Sequence, residues 1–304
     1  MKVFLIILNF NGKKFISNCL NSVSKLKVEN FELKIIAVDN ASTDGSEKII
    51  ENLKTKIKNL IFIQNKENLG FAEGNNVGIR HALENGADYI MILNPDTVVD
   101  KNLLIQLIKV AEPDKKIGIL GPKIYFAYGF EYHKERYKDN ERGRVIFYAG
   151  GEIDWDNVLS KHRGVDEVDK GQYEKVEETD FVSGCAMMVK KEVFEKIGFF
   201  DKNYFLYWED SDFCQRAKKA GYKIVYVPLG LVWHLDAGSS KVGGPLHDYY
   251  LTRNRLLFGM KYASFRAKFA LLRESIKILF FGRKWQKIGI RDFYLGKFSK
   301  GSYM

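Results

Sequence analysis

Cysteine is scarce. The 304 residues contain three, Cys19, Cys185 and Cys214, with no metal-ligand spacing and no way for all to pair. That argues against a disulfide framework and against a zinc module, and for a reducing, cytoplasmic compartment. Long apolar runs are missing too: none reaches the roughly 18 residues that a membrane-spanning helix needs. The apolar opening, residues 1–10, turns polar at Asn9 and lacks a small-residue cleavage site, so it reads as a first strand rather than a leader. Two glycine motifs are also absent. A dinucleotide site would show Gly-x-Gly-x-x-Gly after the first strand, where this chain has Asn9, Phe10, Asn11, Gly12, Lys13 and Lys14. No Walker lysine motif occurs either. The two commonest nucleotide-binding folds are thereby disfavoured.

What is present is an ordinary globular composition, 46% hydrophobic and 28% charged, with a formal net charge of +10. Such a charge fits nucleic acid, an anionic membrane or an anionic substrate, and its distribution has to decide. Apolar runs at 2–10, 33–38, 60–63, 89–93 and 117–121 read as strands, and segments with helical spacing lie between them. Strand and helix in alternation, with short connections, imply a largely parallel, doubly wound α/β sheet. Residues 129–178 are dense in charge and weak in periodicity. They read as an insertion or loop with short strands at 145–149 and 176–179, shaping an acceptor pocket or simply solvated. Strands follow at 181–189, 222–227 and 231–234, and a helix runs from 209 to 220. The tail, 261–304, mixes Phe269, Leu272, Ile276, Leu279 and Phe280 with Arg266, Lys268, Arg273 and Lys277. It is a basic amphipathic helical extension to a main domain spanning 1–260.

Polar clusters fall where the strands end: Asn9 and Asn11, Asp39 and Asn40, Asn94 and Asp96. That edge is where open α/β sheets bind ligands. The run at 89–93 stops at Asn94-Pro95-Asp96 because proline has no N–H and restricts its predecessor. The tripeptide is also ordinary turn chemistry. A carboxylate there suits a divalent metal holding a diphosphate. Glu209-Asp210 opens a helix behind an aromatic loop, and His234 ends a late strand, where a structural histidine is the plain alternative.

Six segments carry these features in order: 38–46, 68–76, 93–96, 184–188, 208–212 and Trp233-His234. Their order and wording resemble the family 2 glycosyltransferases of the GT-A fold, and within them the rhamnosyltransferase-like branch, over residues 1–260. The chain departs from the family's Asp-x-Asp in having Asn94-Pro95-Asp96, which leaves one acidic metal ligand. The resemblance implies an inverting, metal-dependent hexosyltransferase. Its donor would be a nucleoside diphosphate sugar, dTDP-rhamnose as first choice, and its acceptor a cell-surface glycan or a lipid-linked glycan. Asp96 and His234 would hold Mn²⁺ or Mg²⁺. Asp210, at a helix N-terminus that favours its ionised form, would be the general base, and Glu209 would share that duty or touch the acceptor. Asp39 would accept the N3–H of uracil or thymine. Asn9, Asn11, Asn40, Asn68, Gly70, Asn75 and Asn94 would line or shape the nucleotide site. Arg253 would contact the diphosphate, or else sit on a solvated helix face. Asp44 reads as a turn or cap, and Asp212 as the structural partner of Arg216.

The basic tail suits the face of an anionic membrane more than nucleic acid, placing the protein on the inner face of the cell membrane. Packing on the catalytic domain, or on a second subunit in a homodimer, is the alternative. Two rival functions remain open at this point. One is a sugar nucleotidyltransferase, which would need a glycine-rich loop at 9–14. The other is a non-catalytic membrane-surface protein that kept the fold.

Overall fold

The computed structural model describes residues 1–235 and 243–303. Aliphatic runs build the centre of the sheet. Lys2–Asn9 (β1), Glu32–Asp39 (β2), Leu60–Gln64 (β3) and Tyr89–Leu93 (β4) lie in the order β4-β1-β2-β3, all parallel. Val3, Leu5, Ile6 and Ile7 are fully buried, as a strand covered on both faces requires. Ile16–Val23 (α1), Ser46–Lys54 (α2) and Gly70–Glu84 (α3) make the crossovers.

Beyond β4 come Thr97–Val99 (β5), Leu103–Ala111 (α4) and Ile117–Phe126 (β6). Residues 129–178 are more structured than their sequence suggests. Ile146–Tyr148 (β7) pairs with β6, and Gly151–Asp154 (β8) and Leu159–His162 (β9) form a hairpin. The hairpin is unforeseen because charged residues break its alternation. Its turn is held by the Asp154 carboxylate, which accepts from the Asp156 and Asn157 amides and from Asn157 Nδ2. Glu177–Glu178 (β10) then leads to Ala186–Lys190 (β11), Lys191–Ile197 (α5), Glu209–Lys219 (α6) and Lys223–His234 (β12).

The full path is β10-β12-β6-β11-β4-β1-β2-β3, with β11 antiparallel to both neighbours. Two expected boundaries shift. The strand expected over 181–189 joins β4 only from Ala186 onward, with Phe181 in an isolated bridge to Gly151. The two strands expected at 222–227 and 231–234 are one, with a register break between Val227 and Leu231. The break holds Pro228, Leu229 and Gly230 of β12, opposite Pro122 of β6; a proline on each strand removes a ladder N–H there. β6 runs on to Phe126 instead of stopping at Gly121, pairing with 231–234 of β12 beyond the break.

Pro245–Tyr262 (α7), Phe265–Phe281 (α8) and Lys284–Tyr294 (α9) complete the chain. α9 returns along α7, where Tyr249 Oη donates to the buried Asp292 carboxylate at 2.5 Å. Arg255 of α7 grips Glu274 of α8 with two bonds of 2.9 and 3.0 Å. The expected division near residue 260 therefore falls inside a packed helical layer.

Candidate functional site

Register places the polar strand ends side by side. Asn9 of β1 is level with Asp39 of β2, and Ile7 with Leu93 of β4, so Asn9, Asp39 and Asn94–Asp96 share one edge. Asp39 is fully buried. Its Oδ1 accepts from Asn9 Nδ2 at 2.8 Å and its Oδ2 from the Ser42 amide at 2.9 Å. Each oxygen keeps a further lone pair. Asn9 Nδ2 also reaches Ser42 Oγ and Ser46 Oγ. Asn11, exposed and at φ 52°, receives the Thr43 amide on its Oδ1. Asp44 caps the turn by accepting from the Lys13 and Ser46 amides.

Asn40 organises the neighbouring loop. Its Nδ2 donates to Asn68 Oδ1 and the Gly70 carbonyl, and its Oδ1 accepts from Asn65 Nδ2 and the Leu69 amide. Asn68 also accepts from the Gly70 amide. Gly70 has φ +78°, and a Cβ there would sit 2.5 Å from the Phe205 ring, so only glycine fits. Asn75, fully buried in α3, donates back to the Phe71 carbonyl while its Oδ1 has no partner among the described residues.

β-Pairing carries His234 to Asp96. Thr97 opposes His234, and the Leu235 amide donates to the Asp96 carbonyl at 2.7 Å. Asp96 Oδ1 and His234 Nε2 stand 3.2 Å apart, both side chains nearly buried. The approach is close without hydrogen-bond alignment, and neither Asp96 Oδ1 nor His234 Nδ1 makes a hydrogen bond among the described residues. Burial opposes a charge on the ring, but Cys185 and the Asp96 carboxylate favour it and hold its pKa well above the ordinary value. Phe147 of β7 stacks on the imidazole at 4.8 Å, a wall that nothing in the charged 129–178 segment signalled.

The same edge holds the two carboxylates of α6. The Asn94 amide donates to the Cys185 carbonyl, and the adjacent Gly184 amide donates to Asp210 Oδ2 at 3.0 Å. The Ser211 amide holds Asp210 Oδ1 at 2.6 Å. These amides favour the carboxylate, yet burial outweighs them and raises the Asp210 pKa. The expectation that the helix N-terminus would dominate is corrected accordingly. Glu209 is 5% exposed, its Oε2 is orphaned, and burial together with the Asp210 charge holds it well above the carboxylate range. Before them, Phe205, Tyr207 and Trp208 take φ of 63°, 68° and 74°, a strained run for bulky residues.

Arg253 corrects a second expectation. It is fully buried, and its donors go to Asn254 Oδ1, Tyr249 Oη and the carbonyls of Lys297, Asn203 and Tyr204. All five N–H groups are thus engaged, and none is free for a diphosphate. Asn254 Nδ2 reaches the carbonyls of Tyr204, Leu206 and Tyr207. The pair clamps the strained aromatic loop, a role that its sequence neighbourhood did not signal. Asp212 is fully buried and bonds Arg216 at 2.8 Å, as its i,i+4 spacing predicts.

Residues 4–198 match the model of glycosyl transferase family 2, and residues 170–235 that of the N-terminal domain of galactosyltransferase. The chain is 23% identical over 221 residues to the low-salt glycan biosynthesis hexosyltransferase Agl10 of Haloferax volcanii, covering 72% of this chain and 62% of that protein. It is 26% identical to the N-acetylglucosaminyl-diphospho-decaprenol L-rhamnosyltransferase of Mycobacterium tuberculosis, covering 68% of each. Among solved structures, the mannosyltransferase PcManGT of Pyrobaculum calidifontis, in complex with GDP-Man and Mn²⁺, superposes with a TM-score of 0.60 at 14% identity, over 97% of this chain and 74% of that one. That likeness concerns the fold alone. With the family model spanning most of the sheet and the motif-bearing strand ends gathered on one edge, the chain belongs to glycosyl transferase family 2 and has the GT-A fold.

Proposed function

We propose that this chain transfers a sugar, with inversion, from a nucleoside diphosphate sugar to a hydroxyl of a glycan, one carried on a lipid at an anionic membrane surface. The observation that carries the reading is the shared edge. Asn9 donates to Asp39, Asp96 faces His234, and Asp210 is tied through Gly184 and Cys185 to Asn94. The relatives' names cite hexosyl, rhamnosyl and mannosyl groups, and the rhamnosyltransferase's name cites a diphospho-decaprenol. dTDP-rhamnose is the donor to try first.

The Asp96–His234 pair fits a divalent cation. A buried oxygen with no hydrogen bond among the described residues faces an imidazole nitrogen at 3.2 Å, and these two side chains would hold the ion. Mn²⁺ or Mg²⁺ suits oxygen with one imidazole. No cluster of three or more ligating side chains occurs among the described residues, and donor phosphates would add ligands to this pair. When bound, the ion neutralises charge on the departing diphosphate. Asp210 takes the proton from the acceptor hydroxyl. Its raised pKa makes it a stronger base than a surface carboxylate. Glu209, buried beside it, contacts the acceptor. With Asp210 as base and the acceptor hydroxyl as nucleophile, the reaction is a single displacement that inverts the anomeric centre.

The test is donor hydrolysis and transfer across UDP-, GDP- and dTDP-sugars with Mn²⁺ or Mg²⁺. Metal-dependent release of one nucleoside diphosphate, lost in Asp96→Ala, is the expected result. Asp210→Asn should keep donor affinity and lose transfer by roughly 10²–10⁴-fold. Absence of nucleotide binding by calorimetry would refute the reading.

A further inference from the structure

Helix α8 is packed on one side and bare on the other. Its inner face is fixed by Leu271 against Gly259 of α7, by buried Ala267 and Ser275, and by the Arg255–Glu274 pair. At ~100° per residue, Phe265, Phe269, Leu272, Ile276 and Phe280 form a stripe on the opposite side. Phe265 is 88% exposed, Phe269 65%, Ile276 54% and Phe280 69%. Single exposed apolar residues need no explanation, but a continuous apolar stripe over four turns, three of its five residues phenylalanine, does. Arg266, Arg273 and Lys277 flank the stripe on one side and Lys268 on the other. None of the four is in an ion pair among the described residues, and the one acid of the helix, Glu274, is taken by Arg255.

We infer that α8 lies in the surface of an anionic bilayer, with the Phe265–Phe280 stripe among the acyl chains and its flanking cations on lipid phosphates. Charge selects this occupant. A second copy of the chain would set an all-cationic face against itself, whereas an anionic lipid surface complements it. The helix is 17 residues, about 25 Å, and no described helix is long and apolar enough to cross a membrane. It therefore lies along the surface. The inference deepens the proposed function, because it assigns the element that brings the site to a lipid-carried acceptor. The link is short: α8 is pinned to α7, and Arg253 and Asn254 of α7 hold the loop that precedes Glu209 and Asp210.

The experiment is vesicle co-sedimentation of the full chain with phosphatidylcholine alone and with about 30 mol% phosphatidylglycerol added. Binding is expected with the anionic vesicles and should weaken as salt rises. Phe269→Glu, Ile276→Glu and Phe280→Glu together should lower that affinity at least about tenfold, with an unchanged melting transition and unchanged donor hydrolysis. Arg266→Gln, Arg273→Gln and Lys277→Gln, which keep the stripe, should lower it and flatten the salt dependence. Equal binding by the triple-Glu variant, no preference for anionic vesicles, or a concentration-dependent dimer that the triple-Glu variant abolishes would each overturn the inference. Vesicle binding that persists while no donor is bound or hydrolysed would support docking and refute the transferase reading, so the two failures are separable.

Discussion

Asn40 and Asp96 both follow a central strand and both are buried, but they are used in opposite ways. Asn40 spends two donor and two acceptor sites on Asn65, Asn68, Leu69 and Gly70. Arg253 and Asn254 are likewise fully committed to the aromatic loop. Asp96 Oδ1, Glu209 Oε2, His234 Nδ1 and Trp208 Nε1 make no hydrogen bond among the described residues, although all are buried, and Asp96 Oδ1 has only the imidazole 3.2 Å away. A buried polar atom left unpaired costs about 1–3 kcal/mol, so the rim carries a cost that the frame does not. The frame has been shaped for stability and the rim for something outside the chain. Asn9 bridges the two: its Nδ2 serves three oxygens and its Oδ1 none.

The strongest way to break this contrast is Arg253→Ala. It removes one of the largest fully buried side chains, leaves the Lys297 carbonyl without this donor, and loosens the loop ahead of Glu209. The expected loss is about 3–5 kcal/mol, read as a lower urea midpoint. A variant of undiminished stability but weakened donor binding would return Arg253 to the diphosphate. Asn40→Ala should cost less, about 1–3 kcal/mol, because the groups it frees lie nearer to solvent. It should raise KM for the donor more than it lowers kcat. A fall in kcat alone would move Asn40 from the frame to the rim.

The sequence shows the strands and the rim better than the frame. Apolar runs located β1 to β4 because period and length are local signals, and Asp96, Asp210 and His234 stand out because they fall in one ordered set of motifs at strand and helix ends. The role of Arg253 was not legible. An arginine on a helix is read as solvated or phosphate-binding, and its burial depends on the carbonyls of Asn203 and Tyr204, about 50 residues away, and of Lys297, 44 away. Phe147 was hidden for the same reason: it reaches His234 only because β7 pairs with β6 and β6 with β12. The joined strand β12 was hidden by Pro228 and Gly230, local breakers beyond which the pairing with β6 resumes, at Leu231.

Glu209→Gln should have the smallest effect on stability and the most informative sign. Burial and the Asp210 charge hold the folded-state pKa of Glu209 well above the unfolded value of about 4.3. Between those two values the folded protein binds a proton that the unfolded chain has released. Stability from this group is therefore complete below the unfolded pKa and is lost as pH rises through the folded one. Glutamine does not titrate, so the variant escapes that loss. The two proteins should have similar urea midpoints near pH 4, and the variant should pull ahead as pH rises to 8, while its transfer activity falls. A constant difference across that range would mean that Glu209 is not strained by its burial, and the rim would then be as settled as the frame.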